Sequence, residues 1–166
     1  AKYVNSPQTK LFNKSRLLYG YHLAKEQIYK KNQIIVCEGY LDVIMLHQAG
    51  FNTAVATLGT ALTTEHLPLL RRGEPKVILA YDGDKAGLAA AFKASVMLSQ
   101  SEFDGGVIIF ADGLDPADMV NNGKISELNE IFSNPVSFIP YSIDYIISKY
   151  DINDPIQKQK ALTETN

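Results

Sequence analysis

The chain has 166 residues, 46% of them hydrophobic and 20% charged, with a net charge of −2 and an isoelectric point near 5.9. That length suits one substantial core, and the single cysteine, Cys37, excludes a disulfide framework or a cysteine-built zinc site from this chain alone. No apolar run reaches the roughly 18 residues that span a bilayer, and nothing near Ala1 has the layout of a signal peptide, so the sequence reads as cytoplasmic, with no membrane contact. Its opening, Ala1-Lys2-Tyr3-Val4, reads as that of a piece of something longer.

In chain order, Arg16 to Lys30 reads as a partly apolar helix packed across a sheet. Strands are expected at Ile34 to Cys37, Thr53 to Ala56, Val77 to Tyr81 and Val107 to Phe110, with helices at Leu41 to Ala49, Thr64 to Arg72 and Ala86 to Ser99 between them. That alternation is the pattern of an α/β fold, a parallel sheet with right-handed crossover helices. Leu88, Phe92 and Val96 recur every four residues and are the expected buried stripe of the third helix; Gly50, Gly73 and the pair Gly105-Gly106 mark expected helix ends. Ile139, Ile143, Ile146, Ile147 and Tyr150 predict an amphipathic helix after Pro140, and another begins after Asp154-Pro155.

Charge is unevenly placed. Up to Lys31 the balance is +6 and beyond it −8, so a basic arm can hold a polyanion while the acidic part collects metal. The plainer account is a set of solvated surface lysines.

Parallel strands deliver whatever follows their last buried residue to one shared edge, where ligands of open α/β sheets bind. Glu38, Asp82 and Asp84 all fall at strand ends, and three converging carboxylates point to a divalent metal, since oxygen-only clusters select hard cations such as magnesium. Gly83 between the two aspartates leaves both free to turn toward one ion, and carboxylates this close repel without a cation. Asp84 also has a structural account as the N-cap of the helix at Lys85-Ala86, and Asp42 as a carboxylate in a first helical turn. Asp112, Asp115 and Asp118 form a third acidic cluster; Asp115-Pro116 reads first as an N-cap and Asp118 as a favourable first-turn charge, with metal ligation by any of the three the second reading. Leu58-Gly59-Thr60 can present backbone N–H groups to a phosphate or be an ordinary loop; His22, His47 and His66 have no ligand spacing and read as structural.

The stretch EGYLDVIMLHQAGFNTAVATLGTALTTEHLPLL from Glu38, and VILAYDGDKAGLAAA from Val77, resemble the toprim domain of bacterial replicative DNA primases, enzymes that synthesise RNA primers on single-stranded DNA. Upstream, KYVNSPQTKLFNKSRLLYGY is similar to the primase segment leading into toprim. The resemblance implies a toprim-like sheet with crossover helices on both faces, flanked by an N-terminal basic, helical segment and a C-terminal helical tail. The expected division is 1–31 as lead-in, 32–123 as toprim domain and 124–166 as the start of a truncated C-terminal helical subdomain.

It further implies that Glu38, Asp82 and Asp84 are metal-binding acids of the catalytic site, with Asp42 nearby and Asp115 opening a later acidic motif, and that Lys2, Lys14 and Arg16 contact template and incoming nucleotide. Where many primases read Asp-Pro-Asp, this chain has Asp115-Pro116-Ala117 and Asp118 one place on; Ala117 cannot bind metal. A milder departure is Ser15, where a glycine is usual beside the basic pair. The implied cofactor is Mg2+, with Mn2+ able to substitute and no zinc in this fragment. The implied partners are a single-stranded DNA template, NTPs and the RNA primer, with the replicative helicase and single-strand-binding protein reached through the full-length protein at the bacterial replication fork. Three rivals stand beside this: another toprim enzyme, a topoisomerase or nuclease that breaks strands; a phosphoacceptor receiver module; and an isolated piece that binds metal, NTP or nucleic acid and catalyses nothing.

Overall fold

Four parallel strands form the centre of a six-stranded sheet in the computed structural model, which describes residues 17–57, 59–110 and 116–150. In chain order the elements are β1 (Leu18–Tyr19), α1 (Tyr21–Lys31), β2 (Gln33–Cys37), α2 (Tyr40–Gln48), β3 (Ala54–Thr57), a 3₁₀ turn (Thr64–His66) running into α3 (Leu67–Arg71), β4 (Lys76–Asp82), α4 (Lys85–Gln100), β5 (Gly105–Phe110), α5 (Pro116–Asn121), α6 (Ile125–Ser133), β6 (Val136–Ser137) and α7 (Phe138–Lys149). The strand order is β1-β3-β2-β4-β5-β6, with β1 and β6 antiparallel at the two edges. No helix among the described residues is long and apolar enough to cross a membrane.

Both faces of the sheet are covered, which is why its strands are apolar in continuous runs. Ile34 and Val36 of β2, with Val77, Leu79 and Tyr81 of β4, point to one face and pack with α1, α3, α4 and α7; Ile35 and Cys37, with Ile78 and Ala80, point to the other and pack with α2, α5 and α6. Period-two alternation along each strand thus divides one sequence run between two cores.

Several expectations are corrected. The segment before α1 is not helical at Leu18 and Tyr19, which pair with β3 instead; Gly20, at φ 81, turns the chain in the left-handed region and α1 starts after it. Instead of one helix from Thr64 to Arg72 there is a 3₁₀ turn and a short α3, because Thr63 and His66 form a capping box and Pro68 sits at the start of α3. Gly105 ends no helix: α4 stops at Ser101, and Gly105 opens β5 with φ 144 where an added Cβ would run into the Val77 carbonyl.

The buried stripe of α4 is Gly87, Ala91, Ala94, Ser95 and Leu98, and not Leu88, Phe92 and Val96. Small residues let α4 lie close on the sheet, while the larger ones turn sideways to α7. There Phe92 stacks on Tyr145 with ring centroids 4.6 Å apart, and the Tyr141 hydroxyl donates to the Leu88 carbonyl at 3.0 Å. The inward face of α7 is accordingly Phe138, Tyr141 and Ile146, leaving Ile139 61% exposed; Pro140 is tolerated inside the first turn, where no helical partner is lost.

Tyr141 yields a prediction. Burial, with the Tyr145 phenol beside it, pushes its pKa up to about 12. The folded state then holds the proton after the unfolded chain has released it, so stability should fall as pH rises from about 10 to 12. Tyr141→Phe should lessen that alkaline limb, the share of the raised Cys37 and Tyr81 remaining, and cost about 1 kcal/mol at neutral pH through the lost hydrogen bond, both read from urea midpoints; a limb no shallower than wild type would refute the assignment.

Candidate active site

The carboxyl edge of the parallel sheet carries the acids. β2 and β4 are neighbours with Cys37 opposite Ala80, so Glu38, just past β2, and Asp82, the last residue of β4, emerge side by side. Glu38 Oε1 accepts a hydrogen bond from the Asp82 backbone N–H at 3.2 Å. Asp84 is the N-cap of α4, its Oδ1 accepting from the Gly87 N–H at 2.6 Å. Gly83 lies against the end of β5, where an added Cβ would stand 2.5 Å from the Phe110 carbonyl oxygen.

Asp42, in the first turn of α2, is 8% exposed. The N-cap of α2 is Gly39, and Asp42 Oδ1 reaches across to accept from the Ala117 N–H of α5 at 3.4 Å. A long bond of this kind is weak, yet it fastens the start of α5 to the acidic edge. The position whose side chain departs from the primase motif thus contributes through its backbone. Asp118 is exposed on α5; Asp112, Asp115, Lys2, Lys14, Arg16 and Leu58 lie outside the described residues. His66 Nδ1 accepts from the Thr63 N–H at 3.0 Å, His47 Nε2 bonds the Ala54 carbonyl at 2.9 Å, and His22 is exposed on α1.

The electrostatics register the crowding. Burial pushes the Cys37 thiol well above its usual pKa, and Asp42, Glu38 and Asp82 push it further in that direction. Tyr81, beneath the same edge, is raised by burial and then by Glu38 and Cys37. Both groups are neutral near pH 7, and the free, buried Cys37 is no nucleophile.

Among the described residues no three His, Cys, Asp or Glu side chains stand at ligating distances from one point. The reason is local: Glu38 leans on the Asp82 N–H and Asp84 on the start of α4. An all-oxygen set of Glu38, Asp82 and Asp84 nevertheless has the donor chemistry that suits a hard divalent cation.

A sheet of this order with acids at its carboxyl edge is the toprim arrangement, and residues 32–109 match the family model described as the toprim domain. Residues 1–25 match the N-terminal domain of the DNA primase catalytic core. The chain belongs to the bacterial DNA primases, within their catalytic core. It is 60% identical over 164 residues to a DNA primase of Helicobacter pylori, covering 99% of this chain and 29% of that protein. Among solved structures, the E. coli primase catalytic core superimposes with a TM-score of 0.83 at 32% identity, covering 98% of this chain and 53% of that one. A DnaG primase catalytic domain bound to single-stranded DNA gives 0.82 at 32% identity, with the same two coverages. The chain spans under a third of the length of the Helicobacter relative.

Proposed function

We propose that this chain is the metal-binding part of an enzyme that makes RNA primers on a single-stranded DNA template by nucleotidyl transfer from NTPs. The observation carrying this reading is the meeting of Glu38 and Asp82 at adjacent strand ends with Asp84 on the next turn, in a chain whose relatives are primases throughout its length.

Glu38, Asp82 and Asp84 hold the cation, Mg2+ with Mn2+ as substitute. Bound there, the ion would neutralise charge gathering on the transferred phosphoryl group and ease ionisation of the primer 3′-hydroxyl. The chain's own share is placement. The capped start of α4 fixes Asp84, the β2–β4 register fixes Glu38 against Asp82, and Asp42 ties the start of α5 to the same edge; Asp115 and Asp118 of the later acidic motif are its further candidate ligands. Lys2, Lys14 and Arg16, in the +6 N-terminal stretch, hold template and nucleotide phosphates. Residues 1–31 then act as lead-in, 32–123 as the toprim domain and 124–166 as the start of a helical subdomain, with helicase and single-strand-binding protein met through the rest of the protein at the cytoplasmic replication fork.

The test is incorporation of labelled NTP on single-stranded DNA by the full-length protein with Mg2+. Primer-length RNA is the expected product. Cleavage of the DNA without incorporation would instead make this a strand-breaking toprim enzyme.

A further inference from the structure

Strand β6 covers only part of the sheet edge on which it lies. It pairs with Gly106 and Val107, whereas β5 runs on to Phe110, and among the described residues no strand lies beyond it. The Asp104 carbonyl faces β4, accepting from the Val77 N–H at 2.9 Å, so the period of two turns the backbone groups of Gly105, Val107 and Ile109 to the other side. Val107 meets Val136 there. Ile109 meets no described strand: Pro135 has no N–H to prolong β6, and Asn134 turns back as the C-cap of α6 to donate to the Ile131 carbonyl at 3.1 Å. An open edge of this kind is a template for another strand.

A groove of ≈ 580 Å³ runs along this open stretch of β5. The sheet divides its walls. Glu127, Glu130 and Ile131 of α6 stand on one side and Tyr141 of α7 on the other, Ile131 packing with the core on the α2 and α6 face and Tyr141 with the core on the α4 face; Val136, 46% exposed, also lines it. Glu127 gains from the α6 dipole, but Glu130 lies past the first turn, and neither carboxylate has an ion-pair partner among the described residues. Successive side chains of a strand added here point alternately to the two walls. One set meets Ile131 and two carboxylates, which suits lysine or arginine with its stem on the isoleucine; the other meets the Tyr141 ring, which suits an aliphatic. Nucleic acid phosphates are repelled by the same carboxylates. We propose that the groove takes an extended segment of a partner protein, alternating basic and aliphatic residues, as a further strand on β5. It lies across β5 from β4, so an occupant leaves Glu38 and Asp82 clear.

The experiment uses the full-length enzyme and a short labelled peptide of alternating lysine and valine. The peptide should bind, with an affinity that falls as salt rises, and should slow hydrogen exchange in residues 105–110, where Ile109 carries the open amide. Glu127→Gln together with Glu130→Gln should weaken binding about tenfold or more, the loss of charge-assisted contacts, with melting temperature, primer synthesis and single-stranded DNA affinity unchanged. Two further peptides, N-methylated on one or the other alternating set of amides, separate strand addition from charge alone: only one edge of an added strand faces β5, so one peptide should fail and the other bind. No binding, binding indifferent to the glutamate substitutions, or the same result from both methylated peptides would overturn the proposal. So would an Ile109 amide already protected in the free enzyme; a dimer in sedimentation would then give the edge to a second copy, and a monomer would give it to another part of the same chain.

Discussion

Asp82→Asn is expected to lower primer synthesis by the full-length protein about a hundredfold or more while leaving its melting temperature in metal-free buffer nearly unchanged. The substitution keeps the shape of the side chain, and the contact to Glu38 is made by the Asp82 backbone N–H, so the β2–β4 edge stays assembled. What goes is one negative charge from the proposed cation site, where a bound ion would contribute several kcal/mol to the transition state, at a tenfold change in rate for each 1.36 kcal/mol. A second readout needs no turnover. For the wild type, Mn2+ at a hundred times its dissociation constant should add about 2.7 kcal/mol of stability, and Asp82→Asn should lose most of that gain. An asparagine variant with wild-type turnover and the same Mn2+ response would remove Asp82 from the site.

The strands were legible because burial on both faces writes itself as short continuous apolar runs, and the acids because each follows such a run. The two edge strands were not: Leu18–Tyr19 and Val136–Ser137 are two residues long, too short to carry a period, and their strand character comes from the neighbours they pair with. The helix α6 does carry a legible signal, since Ile125, Leu128 and Phe132 recur at spacings of three and four, and Leu128 and Phe132 are buried against the sheet. In α7 and α4 the period is legible but the face only in part: Ile146 is buried as its spacing suggests, whereas Phe138, Tyr141 and the small residues of α4 take the rest of the core. The link from Asp42 to the Ala117 N–H joins residues 75 apart through a backbone donor, which no side-chain pattern encodes.

Gly87→Ala is expected to destabilise the protein by about 1–3 kcal/mol, and to do so at the site. On helix propensity alone the change would stabilise by about 1 kcal/mol. Two terms oppose it. An added Cβ would overlap the Asp82 carbonyl and stand 2.9 Å from Asp84 Oδ1, and because the first neighbour is backbone, relief requires α4 to move off the end of β4, at roughly 1–3 kcal/mol or more. That movement also stretches the bond from the Gly87 N–H to Asp84, an N-cap worth about 1 kcal/mol. Steric and capping losses together outweigh propensity, and the same shift displaces Asp84 relative to Asp82, so Mn2+ stabilisation and primer synthesis should fall together even below the melting temperature. Asp84→Ser separates the two roles: serine can accept from the Gly87 N–H and keep the cap, so its stability without metal should stay within about 0.5 kcal/mol of wild type while its Mn2+ response is lost. If Gly87→Ala proves more stable than the wild type, the close approach of α4 to the Asp82 carbonyl is wrong, and the placement of Asp84 has to be sought elsewhere than in this turn.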